Sequence, residues 1–251
     1  VNRVSHTGIV FVREMRPGLR NPLGLVFQMA EPLVFLVLFG PLLAVMPSVG
    51  DGSTWQWFVP GIVVMLSLFG ASGAGYLMLT EASAGTLERL LATPLRRTAI
   101  LAGRTGKEVA TLLVQALLIV LATLPVGFDP HPLGALVGLL LLAVFGVGLG
   151  SLSISLALAM RDQPSTFYGI QQGLLFPLLL LSGVLLPMDF APDWLHTASR
   201  FNPLTYLVEA ERALFAGDLA HPSVLWAALT AVAVAVVGLA VGARTMRRAS
   251  C

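Results

Sequence analysis

Charge is scarce in this chain. Asp, Glu, Lys and Arg make up 11% of its 251 residues, where a soluble globular domain carries about 25%, and that excludes a fold whose whole surface meets water. Cysteine is nearly absent. Cys251 stands alone, so neither an intramolecular disulfide nor a cysteine metal cluster can form. Histidine is missing where chemistry would need it: His6, His131, His196 and His221 all lie outside the apolar runs, which leaves those runs without an imidazole base or a pair of His ligands. What fills the chain instead is apolar residues, 56% of the total.

Those residues are gathered into runs of the length, about 20 residues, that crosses a hydrocarbon core. They run from Leu25 to Met46, Phe58 to Leu79, Val109 to Phe128, Leu133 to Met160, Phe167 to Leu186 and Ser223 to Ala243. None alternates as a barrel strand does, so an all-α integral membrane protein with six transmembrane helices is expected. Lys and Arg retained on the cytoplasmic side set the orientation of such a bundle. Arg3, Arg13, Arg16 and Arg20 precede the first run, Arg89, Arg96, Arg97, Arg104 and Lys107 lie between the second and third, Arg161 follows the fourth, and Arg244, Arg247 and Arg248 follow the sixth. Only Arg200 and Arg212 fall on the other side, together with Asp51, Asp129, Asp189, Asp193, Glu209, Glu211 and Asp218. Both termini are therefore expected to be cytoplasmic. The net charge of +2 conceals this asymmetry, so the basic pI implies no nucleic-acid partner. Arginine outnumbers lysine fourteen to one, and Ala, Gly and Pro abound, as in a GC-rich bacterial genome, so a bacterial cytoplasmic membrane is the expected location.

One transmembrane domain over residues 1–251 accommodates the pattern. The first 20 residues are too polar for a signal peptide, and Val4, Gly8, Phe11, Val12, Met15 and Leu19 recur at helical spacing, which predicts an interfacial helix over residues 1–22. Pro17-Gly18 and Asn21-Pro22 are expected to bend the chain into the membrane. Spans one to five occupy 23–186, an outer connector occupies 187–222, and the sixth span with its tail occupies 223–251. The connector is too apolar for a solvated loop and too rich in proline for a further span, so two short re-entrant helices are predicted, one capped by Asp193 and one opened by Asn202-Pro203. Trp55, Trp57, Trp194 and Trp226 all fall at outer boundaries, where aromatic anchors collect.

Between the second and third runs lies a punctuated segment. Gly85 breaks the helix leaving the membrane, Thr86 is suited to cap a new one, and Pro94 ends it about two turns later. Leu87, Leu90 and Leu91 share a face, with Glu88 and Arg89 towards the other, an arrangement that fits a groove in a soluble partner. Glycines at four-residue spacing (Gly134/Gly138, Gly146/Gly150, Gly169/Gly173, Gly238/Gly242) permit close helix contact within the bundle or across a dimer.

Gly85-Thr86-Leu87-Glu88-Arg89-Leu90-Leu91-Ala92-Thr93-Pro94 with Gly103-Arg104, and Leu181-Ser182-Gly183-Val184-Leu185-Leu186-Pro187 leading through Trp194-Leu195 to Asn202-Pro203-Leu204-Thr205-Tyr206 and Arg212, resemble the permease subunits of type-2 ABC exporters, especially the daunorubicin-resistance-like branch. Arg20-Asn21-Pro22 with Pro32 is a weaker part of the same likeness, which covers nearly the whole chain. One departure is that only Glu81, followed by Ala82-Ser83-Ala84, stands where many relatives carry a denser charge cluster. The resemblance implies that Glu81, Gly85, Thr86, Leu87, Glu88, Arg89, Leu91 and Thr93 form a coupling segment docked on a separate ATPase subunit. It also implies that a second copy or a homologous permease completes the path. No cofactor is expected in this chain, because Gly103-Arg104-Thr105-Gly106-Lys107-Glu108 has too short a glycine spacing and no Ser or Thr for Mg²⁺; ATP and Mg²⁺ belong to the partner.

Candidates for the translocation path or outer gate are Gln28, Glu31, Pro187, Trp194, Asn202, Pro203, Tyr206 and Arg212. Glu31 is the acidic residue well inside an apolar run, where it either rests near the interface, contacts a cationic cargo or forms a hinge with Gln28 and Pro32. Glu209, Glu211 and Arg212 either line an exit or solvate the outer surface. Gly70-Ala71-Ser72-Gly73 resembles the serine turn of an intramembrane protease, yet no base is available to it, so small-residue packing is expected there. Two functions remain: membrane subunit of an exporter moving a hydrophobic or amphipathic cargo such as a drug, antibiotic or lipid, or a non-transporting membrane scaffold that docks a cytoplasmic partner.

Overall fold

The computed structural model describes residues 3–20, 23, 27, 29–44, 54–91, 93, 97–185, 188 and 191–248, and no strand occurs among them. Among the described residues ten α-helices follow in order: α1 Arg3–Arg20, α2 Ala30–Ala44, α3 Thr54–Ser83, α4 Thr86–Leu91, α5 Arg97–Thr123, α6 Pro132–Ala159, α7 Pro164–Leu180, α8 Asp193–Ser199, α9 Pro203–Phe215 and α10 Pro222–Arg248. Four segments among the described residues are long and apolar enough to cross a membrane: α3, α5 with its 3₁₀ extension to Val126, α6 and α10. The bundle has a basic end, carrying Arg89, Arg97 and Arg104, and an acidic end, carrying Asp129, Glu209 and Asp218.

The other two expected spans are shorter. Helix α2 has 15 described residues. Helix α7 stops at Leu180, six residues before the predicted end, and the reason is local. Pro177 lacks the N–H that would continue the ladder, Gly183 sits at φ 74°, and the Asn202 amide donates to the Leu178 carbonyl at 2.7 Å. The third span, by contrast, begins a dozen residues early, because Arg97 to Glu108 is not a connector but the first turns of α5. Arg97 steadies that start by donating to the carbonyls of Met246 (3.1 Å) and Arg247 (3.4 Å), which the end of α10 leaves open.

Helix α1 departs from expectation too. It continues through Pro17-Gly18 to Arg20 without the expected bend, and Phe11 of the Val4–Leu19 stripe packs on α5. Val12 and Leu19 are exposed, while Val10, off that stripe, is fully buried against α5. The approach requires glycine: a Cβ on Gly103 would lie 2.7 Å from the Val10 Cβ, and one on Gly106 would already touch the Phe11 ring.

Three of the four glycine pairs serve packing inside the chain. Gly134 and Gly138 face α9, Gly146 and Gly150 face α3 and α5, Gly238 faces α6, and Gly242 faces α5 and α6. The α6–α10 crossing is so close that a Cβ on Gly148 would lie 2.5 Å from the Val234 carbonyl. Gly169 and Gly173 on α7 have open space beside them. Two apolar cores result. The larger runs from the acidic end through the middle around Phe58, Phe128, Leu142 and Phe215. The smaller lies at the basic end and joins Val10, Leu90, Ile100, Phe167 and Met246.

Candidate functional site

At the basic end α3 and α5 are joined through α4. The corner is made by Gly85 at φ 67°, which favours glycine. Thr86 is the first residue of α4 and not its cap, since Gly85 holds the position before it. Thr93 closes the other end, donating both its N–H (3.2 Å) and its hydroxyl (2.6 Å) to the Leu90 carbonyl. The leucine face does not all turn outward: Leu90 is buried in the smaller core, while Arg89 and Thr93 are exposed. Pro94 and the side chains of Leu87, Glu88 and Leu91 lie outside the described residues. Glu81 points inward, where it pairs with Arg104.

At the acidic end the two short helices form as predicted, α8 over seven residues and α9 over thirteen. Asn202 caps α9, its side chain accepting from the Leu204 N–H at 3.0 Å, and Pro203 takes the first turn, where a missing N–H costs nothing. Asp193 is the first residue of α8, with Pro192 in the cap position. Arg212 is neither solvated nor free: its guanidinium lies 3.9 Å over the Trp57 ring and donates to the carbonyls of Trp57 (3.0 Å) and Gly183 (2.8 Å). Tyr206 donates to the Arg200 carbonyl at 2.8 Å. These two line a polar cavity of about 400 Å³ with Trp57, Ser182, His196, Thr205 and Glu209. Trp194 and Trp226 are exposed as membrane anchors would be, whereas Trp57 works inside the fold.

Glu211 meets neither expectation made for it. It is fully buried, packed on Gly138 of α6, and no hydrogen bond reaches either oxygen among the described residues. Burial alone pushes its carboxyl up to about 8.

A third region was not singled out from sequence. A cavity of about 480 Å³ opens between α3, α5 and α7, lined by Phe69, Gly70, Ser72, Gly73, Tyr76, Glu108, Gln115, Tyr168, Gln171 and Gln172, with Phe27 at its edge. Gly70 and Gly73 do not pack against a neighbouring helix, as expected; they have open space beside them and leave room in this wall. The Ser72 hydroxyl donates to the Leu68 carbonyl at 2.6 Å, in an ordinary helical manner. Gln171 fastens α7 by donating to the Ser72 carbonyl at 3.1 Å, which also accepts from Ser153 at 2.6 Å. The available signal was Gln115, Gln171 and Gln172 inside apolar runs, uncharged and so passed over. Gln28 and Pro187 lie outside the described residues, and Glu31 is helical in α2 with its side chain likewise outside them.

A multi-pass helical membrane protein with a cavity between its helices and a short helix set off by a glycine corner at one end is the class these features define. The pattern of the ABC-2 type transporter family matches residues 5–216. The chain is similar to the transport permease ycf38 of Cyanophora paradoxa, 32% identical over 201 residues, covering 78% of this chain and 69% of that one. It is also similar to the daunorubicin resistance ABC transporter permease protein DrrB1 of Streptomyces coeruleorubidus, 26% identical over 216 residues (85% and 76%). Nodulation protein J of Rhizobium leguminosarum bv. trifolii is 28% identical over 203 residues (80% and 76%). The chain belongs to the ABC-2 type transporter family and is a transporter membrane subunit.

Proposed function

We propose that this chain is the permease of an ATP-driven exporter, paired with a second copy or a homologous permease and driven by a separate ABC ATPase subunit. The observation that carries the reading is α4: a two-turn helix set off by Gly85 at φ 67°, anchored to the bundle by Leu90 and showing Arg89 and Thr93 to solvent, within a chain of this family. An anchored lever with a polar outer side suits a partner that pushes on it. Both termini are then cytoplasmic, in a bacterial cytoplasmic membrane, with α2 and α7 completing six spans. The cavity between α3, α5 and α7 combines tyrosine and phenylalanine rings with glutamine amides, which suits an amphipathic cargo such as a drug, antibiotic or lipid better than an ion. Daunorubicin, named for one relative, is a sensible first probe.

The test is ATP hydrolysis in lipid by the chain alone and after co-expression with an ATPase subunit. The expected result is no turnover alone and vanadate-sensitive turnover in a stable complex, raised by daunorubicin. Failure to bind any ATPase subunit overturns the reading. A stable complex whose turnover no amphipathic compound raises turns it towards a scaffold.

A further inference from the structure

Gly103-Arg104 belongs to the family likeness, but nothing above gives the arginine a role. Its side chain is 4% exposed and sits where three elements meet. From α3, Glu81 lies four residues before Gly85 and forms a close ion pair with the Arg104 guanidinium. From α1, the Glu14 carboxylate lies 3.5 Å from the same Nη2. Nη1 rests 2.8 Å from the Met78 sulfur, one turn before Glu81. Around this centre the contacts are tight, because Gly103 admits Val10 and Gly106 admits Phe11. Lys107 and Glu108 pair with each other at 2.9 Å one turn on, and Glu108 also lies within electrostatic reach of Arg104 and Glu14.

This is an asymmetric joint. Arg104 holds Glu81 by direct contact and Glu14 at longer reach, and both carboxylates are mostly buried, so breaking either contact leaves charge in a poor solvent. We infer that Arg104 is a positioning residue through which α1 and the corner between α3 and α4 move as one body when α4 is pushed. The role in transport rests on the exporter reading; the mechanical claim does not.

Three spin-labelled cysteines test it, on a Cys251→Ser background and in the complete complex in lipid: Val12→Cys on α1, Ser83→Cys at the corner, and Leu136→Cys on α6. Each site is exposed. The expected result is that trapping with ATP and vanadate shifts the 83–136 distance, leaves the 12–83 distance unchanged, and that Glu14→Gln frees the latter to shift or broaden by about 3 Å, two residues of helical rise. A wild-type 12–83 distance that shifts on trapping overturns the joint and leaves the exporter reading intact. An unmoved 83–136 distance counts against the exporter reading alone, and the joint is then decided at rest: broadening of the 12–83 distribution by Glu14→Gln supports it, no broadening overturns it. Should Glu14→Gln disturb the resting 83–136 distance, Arg104→Lys replaces it, because lysine keeps the charge and loses the two-sided reach.

Discussion

Each end of the molecule buries one ionised or ionisable side chain of a kind rarely hidden, and they are treated in opposite ways. Arg104 at the basic end has a carboxylate from each of two other helices. Glu211 at the acidic end has a glycine, and among the described residues no hydrogen-bond partner. The difference teaches what burial alone cannot: a buried charge with partners ties elements together, whereas one without partners must give up its charge and weakens the contact it sits in. Helix α6, on which Glu211 rests, has no ionisable residue between Pro132 and Ala159, and α10 has none from Pro222 to Ala243. The nearest arginine, Arg212, is turned to Trp57 and Gly183.

The largest expected effect is at Arg104. Arg104→Met keeps the bulk and removes the charge, so Glu81 and Glu14 face each other without a counterion. Loss of one partner from a buried ion pair costs about 3–5 kcal/mol, and chemical denaturation in mixed micelles is the measurement. A change below about 1 kcal/mol, the range of exposed pairs, would mean that the cluster is solvated and the contrast with Glu211 is false.

Glu211→Met is expected to act in the opposite direction. Removing an unsatisfied buried polar group of similar volume stabilises by about 1–3 kcal/mol. The pH dependence follows from the direction of the shift. With the folded-state carboxyl raised from 4.5 to about 8, the folded protein keeps a proton that the unfolded chain has lost. Stability from this group is therefore complete below 4.5, declines as the pH rises and is lost by about 8. Denaturation midpoints across that window should fall with pH in the wild type and lose this component in Glu211→Met. Equal slopes in the two proteins would show that water or a partner reaches the carboxylate.

Much of this architecture was legible in the sequence, and what was missed shares a cause. The gathering of basic residues at one end, the break at Gly85 and the Asn202-Pro203 helix start are local signals, and all three appear in the structure. In the sequence Arg104 stands out as a topology marker and as part of the family likeness but not as a joint, because its partner Glu14 lies on another helix ninety residues earlier and no spacing announces it. For Glu211, beside Glu209 and Arg212, the sequence leaves an exit lining or a solvated outer surface as the alternatives; which side of α9 it takes is set by Gly134 and Gly138. Leu90 was assigned with Leu87 and Leu91 to a partner-facing stripe, and the smaller core claims it. The cavity escaped notice since a glutamine in an apolar run has neither charge nor period.

Glycine gives a finer version of the same contrast. Gly103→Ala is expected to destabilise by about 1 kcal/mol, since overpacking of 1–3 kcal/mol is partly offset by the 0.5–1 kcal/mol that alanine gains over glycine in a helix. What its Cβ would meet is unyielding: the β-branched carbon of Val10 at 2.7 Å and the Phe11 backbone nitrogen at 3.1 Å. Proteolysis of α1 at Arg13 and Arg16 should accelerate with it, because that packing holds α1 to α5. No change in either would mean that α1 can shift without loss.

Gly138→Ala is the smallest case. Its Cβ would also arrive too close, but against the far end of the Glu211 side chain, which can turn away. The clash is then relieved by rotamer change, and the helix-propensity gain nearly cancels the remainder, so a net effect within about 0.5 kcal/mol is expected. The informative readout is the pH slope: a carboxyl displaced from Gly138 towards the boundary of α9 regains water, and the decline between 4.5 and about 8 should flatten. Unchanged stability together with an unchanged slope would mean that the glycine is incidental to the burial of Glu211. A loss as large as that of Gly103→Ala would show that the acidic end is as rigid as the basic one, and that the absence of partners there does not loosen it.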